Sequence, residues 1–399
     1  MNINSVSSID CCNPKPAFKS SYVTLSEKNL GQKIAQDVVD SFNTKIFPEL
    51  KKTAFIEANA LIKAARLGKT DKVIVNPEDL RHNINFFALG AGSGSRFKEL
   101  AQAVGDYNKI SLPFKIDETM DIHMLDFAMT MGKYFIGEEG VNKIVASQPS
   151  GSFGDIVAHY QNNPIKDTIV CCGDNVFGDN SFDIMKFLIR EINNPQKHVA
   201  LVGVGRTPEE VANRFGVLNV KSTVKNKNLK LKGFSEKPQL EEAQKLAIDG
   251  KNIANTGLFY ISKEAMENLM DEINSGVNNI KKNDTELYDF ANAVKYIHSK
   301  IYDWFNIRPV NGADVKVVKK WEDVGEPKAL YQFADDVKQG MYLNNFPQEL
   351  AENIKTAFSK RVHIGSENEY PYINFSDSLQ INSKQLAEAK NIEGVNIIV

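Results

Sequence analysis

Residues 86–96 read Phe86-Phe-Ala-Leu-Gly90-Ala-Gly92-Ser-Gly94-Ser-Arg96, an apolar run that gives way to alternating glycines and an arginine. With Asn83, Ile84 and Asn85 before it, the run predicts a short buried strand. Glycines let the chain adopt positive φ and come close to a ligand. Consecutive N–H groups in such a loop form a concavity for anions. A helix expected after Arg96 would add the positive end of its dipole, and the guanidinium would add bidentate reach. Two common phosphate loops do not fit. A G-x-G-x-x-G fingerprint needs glycine where Ser95 stands, and a P-loop needs Gly-Lys-Ser/Thr where Arg96 follows Ser95. Read alone, the segment is either an anion cradle or a tight turn with a solvated arginine.

From this strand onward, apolar runs alternate with helical periodicity. Residues 143–147, 168–174, 198–205 and 255–262 predict strands; residues 125–135, 155–161, 182–192 and 285–300 predict helices, and 208–215 a helix or turn. That alternation predicts an α/β domain over residues 83–334, with a mainly parallel mixed sheet and helices on both faces. Before it, residues 1–20 are polar and aperiodic, which reads as a flexible tail. Residues 21–82 read as a helical extension. Thr24-Leu-Ser-Glu27 has capping-box spacing, Leu30, Ile34, Val38, Phe42 and Ile46 recur at helical intervals, and a second helix is expected over 53–67. Residues 335–399 read as a C-terminal α/β extension, with helices at 347–360 and 383–390 and a strand at 395–399. No repeat of fixed period occurs there.

The 399 residues carry 48 basic and 50 acidic side chains, a net charge of −2. That balance argues against a general nucleic-acid binder. No run approaches the ~18 apolar residues of a membrane span, and the first residues lack a basic stretch followed by an apolar core. The expectation is a cytoplasmic protein with no nucleic-acid or membrane partner. The four cysteines lie in adjacent pairs, Cys11-Cys12 and Cys171-Cys172, without C-x-x-C spacing. They read as reduced and structural, a buried thiol acting as a small hydrophobe.

The stretch GAGSGSRFKELAQAVGDYNKISLPF, residues 90–114, resembles the signature of sugar-1-phosphate nucleotidyltransferases (sugar-nucleotide pyrophosphorylases). That signature is roughly G-G-x-G-T-R-L-x-x-L-T, then P-K-P-x-L-P. Arg96 and Lys109 match its charged positions; Ala91, Ser95 and Asn108 depart from it. The resemblance continues in order along the chain. Gln148-Pro-Ser-Gly151-Ser-Phe-Gly154 is similar to the base-contacting segment. Gly173-Asp174 resembles the metal-binding G-D after a strand, and Arg214-Phe-Gly216-Val-Leu a R-Y-G-V segment near the sugar. Glu236-Lys237-Pro238 matches E-K-P, and Asn255-Thr256-Gly257-Leu-Phe-Tyr matches N-x-G-I/L-Y. Thr285-Glu-Leu-Tyr-Asp289 resembles E-x-x-x-T-D, and Trp321-Glu-Asp323-Val-Gly325 resembles W-x-D-x-G-T with Glu326 in place of threonine. The resemblance covers residues 86–326 and does not reach residues 1–82 or the chain beyond about 335.

The resemblance implies a Rossmann-like nucleotidyltransferase fold and joining of a nucleoside triphosphate to a sugar-1-phosphate, with release of pyrophosphate. It implies catalytic roles for Arg96, Lys109, Asp174 and Lys237, and Mg²⁺ held by Asp174 and Asp323. Gly90, Ala91, Gly92, Ser93, Gly94, Ser95, Gln148, Gly151 and Gly173 would contact the nucleotide. Gly216, Glu236, Asn255, Thr256 and Gly257 would contact the sugar. The substrate pair points two ways, since 148–157 resembles glucose-1-phosphate thymidylyltransferases and NKISLPF with WEDVGEPKALYQ resembles the adenylyltransferases. A glucose-like sugar phosphate is expected, with the base open among dTTP, UTP and ATP. A homo-oligomer is compatible with this reading. Three other classes stand beside it. The departures at Ala91, Asn108 and Glu326 allow a non-catalytic nucleotide or nucleotide-sugar binder. The glycine run alone allows a nicotinamide dehydrogenase, against which the broken fingerprint speaks. A glycosyltransferase would carry D-x-D, but Asp174 is followed by Asn175-Val176.

Overall fold

The computed structural model describes residues 37–64, 76–89, 109–137, 154–190, 199–222, 229–268, 270–271, 313–363, 372–375, 390–392 and 395–398. Its strands, in chain order, are β1 (Ile84–Leu89), β2 (Phe114–Lys115), β3 (Asp121–Ile122), β4 (Asp167–Cys172), β5 (Asn175–Phe177), β6 (Val199–Arg206), β7 (Val217–Ser222), β8 (Leu229–Ser235), β9 (Asn252–Ile261), β10 (Asp314–Val318), β11 (Trp321–Asp323), β12 (Val362–His363), β13 (Tyr372–Asn374), β14 (Lys390–Ile392) and β15 (Val395–Ile398).

Seven of them form one sheet in the order β1-β4-β9-β6-β10-β8-β7. Strands β1, β4, β6, β7 and β10 point one way, β8 and β9 the other. The fold is mixed α/β, as the sequence predicts, but its ladders are less parallel than expected. Among the described residues of this sheet only β1–β4 and β6–β10 pair in parallel, because β9 is inserted between β4 and β6 and runs against both. A bridge between Val217 and Ala254 joins β7 back to β9 and closes β9-β6-β10-β8-β7 into a ring.

Successive side chains of a strand point to opposite faces. Phe86, Ala88, Ile169 and Cys171 enter one apolar layer; Phe87, Leu89 and Val170 enter another. That double burial explains why β1 reads as one unbroken apolar run. The first layer is completed by the helices Phe47–Ala64, Met124–Met131, Ser181–Leu188, Pro327–Lys338 and Gln348–Arg361. The second takes Ile156 and Tyr160 from the helix Gly154–Asn162, and Ala265, Met266 and Met270 from residues after β9. The helix expected over 125–135 breaks at Gly132, where a Cβ would lie 2.4 Å from the Phe86 ring; a 3₁₀ turn, Lys133–Phe135, follows.

Described residues of both expected extensions pack on the same core. Val38, Phe42, Ile46, Leu50 and Leu61 share the first layer with the sheet, and Glu57 pairs with buried Lys133 at 2.8 Å. Residues 37–64 are helical throughout, rather than two helices. A π-turn, Phe42–Ile46, precedes Pro48, which has no N–H for an ordinary bond to Thr44. The boundary expected at 334/335 falls inside the helix Pro327–Lys338. Phe114 meets Phe358 at 4.5 Å and Phe375 at 5.3 Å between ring centroids, so the C-terminal residues complete the same core. Lys390 opens β14, so no helix extends to it. Outside the described residues lie the expected tail, the capping box at 24–27, the strand at 143–147, and the helices at 285–300 and 383–389.

Candidate active site

Asp174 sits where β4 ends, in the two-residue turn Gly173-Asp174 before β5. The C-terminal ends of parallel strands are where open α/β sheets place ligands. In the parallel β1–β4 ladder Leu89 lies opposite Cys172, and Gly173 N–H donates to the Leu89 carbonyl at 2.7 Å. Leu89, the last residue of β1, therefore ends beside the Gly173-Asp174 turn. A side chain at Gly173 would fall 2.8 Å from that carbonyl, so glycine is required for this approach. The loop residues Gly90, Ala91, Gly92, Ser93, Gly94 and Ser95, with Arg96, Gln148 and Gly151, lie outside the described residues.

Three charged groups meet at the turn. Lys109, opening the 3₁₀ turn Lys109–Ser111, donates from Nζ to Asp174 Oδ2, and the pair is largely buried, at 13% and 18% side-chain exposure. Asp323 arrives on β11, which pairs antiparallel with β5; Asp323 lies opposite Asn175, and Val324 N–H donates to the Asp174 carbonyl at 3.0 Å. Burial pulls the Lys109 ammonium down, but Asp174, with Asp323 beyond it, offsets this and holds its pKa above the ordinary lysine value. Cys172 lies in the same field. Burial first, then the two aspartates, push its thiol up to about 12, while burial holds Cys171 well above its usual value. A thiol so high is unreactive at neutral pH. In the folded protein neither cysteine is expected to be alkylated by iodoacetamide at pH 8, which peptide mapping would check.

Two carboxylates and one ammonium leave one surplus negative charge in a partly dry pocket. Hard oxygen donors of this kind suit Mg²⁺. Among the described residues no three metal-ligating side chains cluster, so a cation here would draw its other oxygens from phosphate and water.

A second cluster adjoins the first. Along β9, Phe259 pairs with Leu201 and Asn255 with Gly203, so four residues of β9 answer two of β6. Such a bulge unpairs backbone groups. Thr256 repairs part of the loss by donating Oγ1 to the Val202 carbonyl at 2.8 Å. Gly257 takes φ +70°, its N–H donating to Asn255 Oδ1 at 3.2 Å. The bulge is tied to the first cluster through Asn175, which donates from Nδ2 to the Thr256 carbonyl. Asn255 N–H donates to the Gly216 carbonyl at 2.8 Å, and a Cβ at Gly216 would lie 2.9 Å from Glu236 Oε2. Burial raises the Glu236 pKa, and Lys237 opposes the shift.

Lys237 is 57% exposed, its Nζ 4.0 Å from Glu236 Oε1. Its φ of +46° is in the left-handed region, uncommon for a side-chain-bearing residue. Pro238 anchors the turn by accepting from Asn213 N–H at 3.0 Å. The structure therefore pairs Lys109 with Asp174 directly, brings Asp323 alongside on β11 through the backbone bond from Val324 to Asp174, and carries Gly216, Glu236, Asn255, Thr256 and Gly257 beside them through Asn175. Sequence reasoning missed Asn175 and Arg206. Arg206, at the end of β6, donates to the Glu322 carboxylate at 3.0 Å and to the Trp321 carbonyl. Its partner strand is 115 residues away, so no local pattern marks it. Asn175 could have been found from its place directly after Asp174.

Among the described residues no helix is long and apolar enough to cross a membrane. No curated protein sequence matches the chain. Solved structures similar to it include a mannose-1-phosphate geranyltransferase from Thermus thermophilus, at 15% identity and TM-score 0.44 over 63% of this chain and 78% of that one. A Bacillus anthracis protein described as a glucose-1-phosphate thymidylyltransferase matches at 19% identity and TM-score 0.42, over 62% and 93%. An inositol-1-phosphate CTP transferase from T. maritima matches at 14% and 0.35, over 68% and 95%. The family model described as "Nucleotidyl transferase" matches residues 138–340, just over half of the chain. The matched segment begins after the glycine loop and Lys109 and contains Asp174, Gly216, Glu236, Lys237, Asn255–Gly257 and Asp323. By that match over more than half of its length, the chain belongs to the nucleotidyl transferase family.

Proposed function

We propose that this protein is a Mg²⁺-dependent enzyme that joins a nucleoside triphosphate to a sugar-1-phosphate, of the glucose type, giving a nucleotide sugar and pyrophosphate. The observation that carries the reading is the Lys109–Asp174 ion pair with Asp323 on the adjoining strand β11, beside the end of β1. An oxygen of the sugar phosphate attacks the α-phosphorus, the bond to the bridging oxygen of the β-phosphate breaks, and pyrophosphate leaves in line. The nucleophile is already ionised near neutral pH, so no general base is required. The obstacle is repulsion between two polyanions, and the remedy is positioning and charge stabilisation.

Bound between Asp174 and Asp323, Mg²⁺ would supply Lewis-acid polarisation of the phosphate oxygens. The protein's own groups do the rest. The backbone N–H groups of residues 90–95 and Arg96 hold the triphosphate tail. Lys109, kept charged by Asp174, faces the α- and β-phosphates. Lys237 holds the sugar phosphate, while Glu236 accepts from sugar hydroxyls and the Gly216 and Asn255–Gly257 backbone lines the sugar.

The test is a pyrophosphate-release screen of dTTP, UTP, ATP and the other common triphosphates against a panel of sugar-1-phosphates, with Mg²⁺ and with EDTA. Mg²⁺-dependent release with a hexose-1-phosphate is the expected result. Binding of nucleotide without release in any pair would overturn it in favour of a non-catalytic binder.

The left-handed backbone at Lys237 gives a sharper check, since strained residues persist where function holds them. Lys237→Gly removes the charge and relieves the backbone. It is expected to lower kcat/KM for the sugar phosphate about 10- to 100-fold, the worth of a charged hydrogen bond. Stability should rise by roughly 0.5–1 kcal/mol because glycine accepts this φ without strain. A loss of stability, or a KM change confined to the nucleotide, would exclude the role.

A further inference from the structure

Glu326 stands where the resembled signature has threonine, and the structure gives it a distant partner. Arg214 Nη2 donates to Glu326 Oε1 at 2.6 Å, across 112 residues. Arg214 lies two residues before Gly216, on the sugar side of the site. Glu326 lies three residues after Asp323, on the carboxylate side. Glu326 occupies the N-cap position of the helix Pro327–Lys338, yet its side chain makes no cap bond. A threonine hydroxyl at that position would turn back to the helix N–H groups. The longer glutamate reaches across to Arg214 instead. A ring contact runs beside the ion pair: the Arg214 guanidinium lies 5.2 Å from the Phe215 ring centroid, and Phe215 meets Trp321 edge-on at 5.3 Å.

We propose that Arg214–Glu326 is a positioning clasp that sets the spacing between the sugar-binding wall and the strand bearing Asp323. The inference rests on the proposed nucleotidyl transfer and concerns its sugar-phosphate site. Neither residue touches the reacting atoms in this scheme. At 41% and 25% side-chain exposure the pair adds little to global stability. Its effect falls on the relative placement of two walls, which a bound sugar phosphate must span.

Charge reversal tests this. Arg214→Glu and Glu326→Arg are each expected to raise KM for the sugar-1-phosphate about 5- to 20-fold, with kcat within about 2-fold and Tm unchanged, as for loss of binding alone. The double reversal should return KM to within about 3-fold of wild type, the sign of direct coupling. Hydrogen exchange supplies a readout that needs no turnover. Each single variant should speed exchange in both residues 211–218 and 321–327, and the double should restore it. Wild-type KM should also rise with salt, since a half-exposed pair is screened. A double variant as impaired as the product of the singles would overturn the clasp, as would faster exchange confined to the mutated segment. If the wild type releases no pyrophosphate with any substrate pair, the functional reading fails, and the exchange data still decide the clasp.

Discussion

Asp174→Asn is expected to lower the rate of pyrophosphate release by about 10³-fold, the scale seen when one preorganised electrostatic group is removed from a reacting site. Asparagine keeps the shape of the side chain and removes its charge. The surplus negative charge that suits the pocket to a divalent cation disappears with it, and Asp323 is left to balance Lys109 alone. Stability should fall as well. Lys109 is 13% exposed, and burial lowers its pKa once the carboxylate that offsets it is gone. The expected cost is roughly 1–3 kcal/mol, below the ~3–5 of a fully buried pair. Adding Lys109→Met to Asp174→Asn removes the stranded ammonium and should recover most of the stability without recovering turnover. Urea unfolding and the pyrophosphate assay separate the two effects. The linkage sign is fixed by the raised lysine pKa. The stabilisation contributed by Lys109's raised pKa is present below the ordinary lysine value and is lost as pH rises through the raised one. Turnover near wild type in Asp174→Asn would end the metal role.

Gly257→Ala should be a strongly damaging single-methyl change in the site. Two costs add. At φ +70° an alanine pays about 1–2 kcal/mol for the left-handed backbone. Its Cβ would also fall 2.7 Å from Cys172 Sγ and 3.1 Å from Asn175 Nδ2, and overpacking of that kind costs about 1–3 kcal/mol. The sum is a loss of roughly 2–5 kcal/mol. Because Cys172 and Asn175 flank Gly173-Asp174, turnover should fall too. Cys172→Ala in the same chain removes the sulfur and leaves the Cβ of residue 172 at an ordinary 3.6 Å. It should recover the sulfur's share of the packing cost and leave the Asn175 contact and the backbone part. Unfolding of both singles and the double measures the division. A Gly257→Ala protein as stable as wild type would remove the physical argument for glycine there.

The same contrast between local and distant causes runs through the whole chain. The strand predicted at 168–174 is β4, Asp167–Cys172; the helix predicted at 155–161 spans Gly154–Asn162. Both are legible because each is long and buried enough for its periodicity to record which face meets the core. Strands β7 and β8 are not. In β8 the run Leu229-Lys-Leu-Lys alternates, but its polar positions resemble a loop until β7 and β10 pair with it. Nothing local marks β11 either, since three residues become a strand only against β5.

For the site, the sequence alone determined the residue types and their order: glycines after β1, Asp174 after β4, Asn-Thr-Gly in β9, Asp323 after a tryptophan. These are local requirements of backbone approach and oxygen chemistry, and neighbouring residues suffice to express them. Only the tertiary structure decided that Asp323 stands opposite Asn175, that Arg206 braces that strand, that Asn175 ties the bulge to the turn, and that Glu326 reaches Arg214. Each of those contacts spans 81 to 148 residues — 175 to 323 being the widest — and which partner a distant group meets is set by the packing of the entire sheet, not by the few residues on either side.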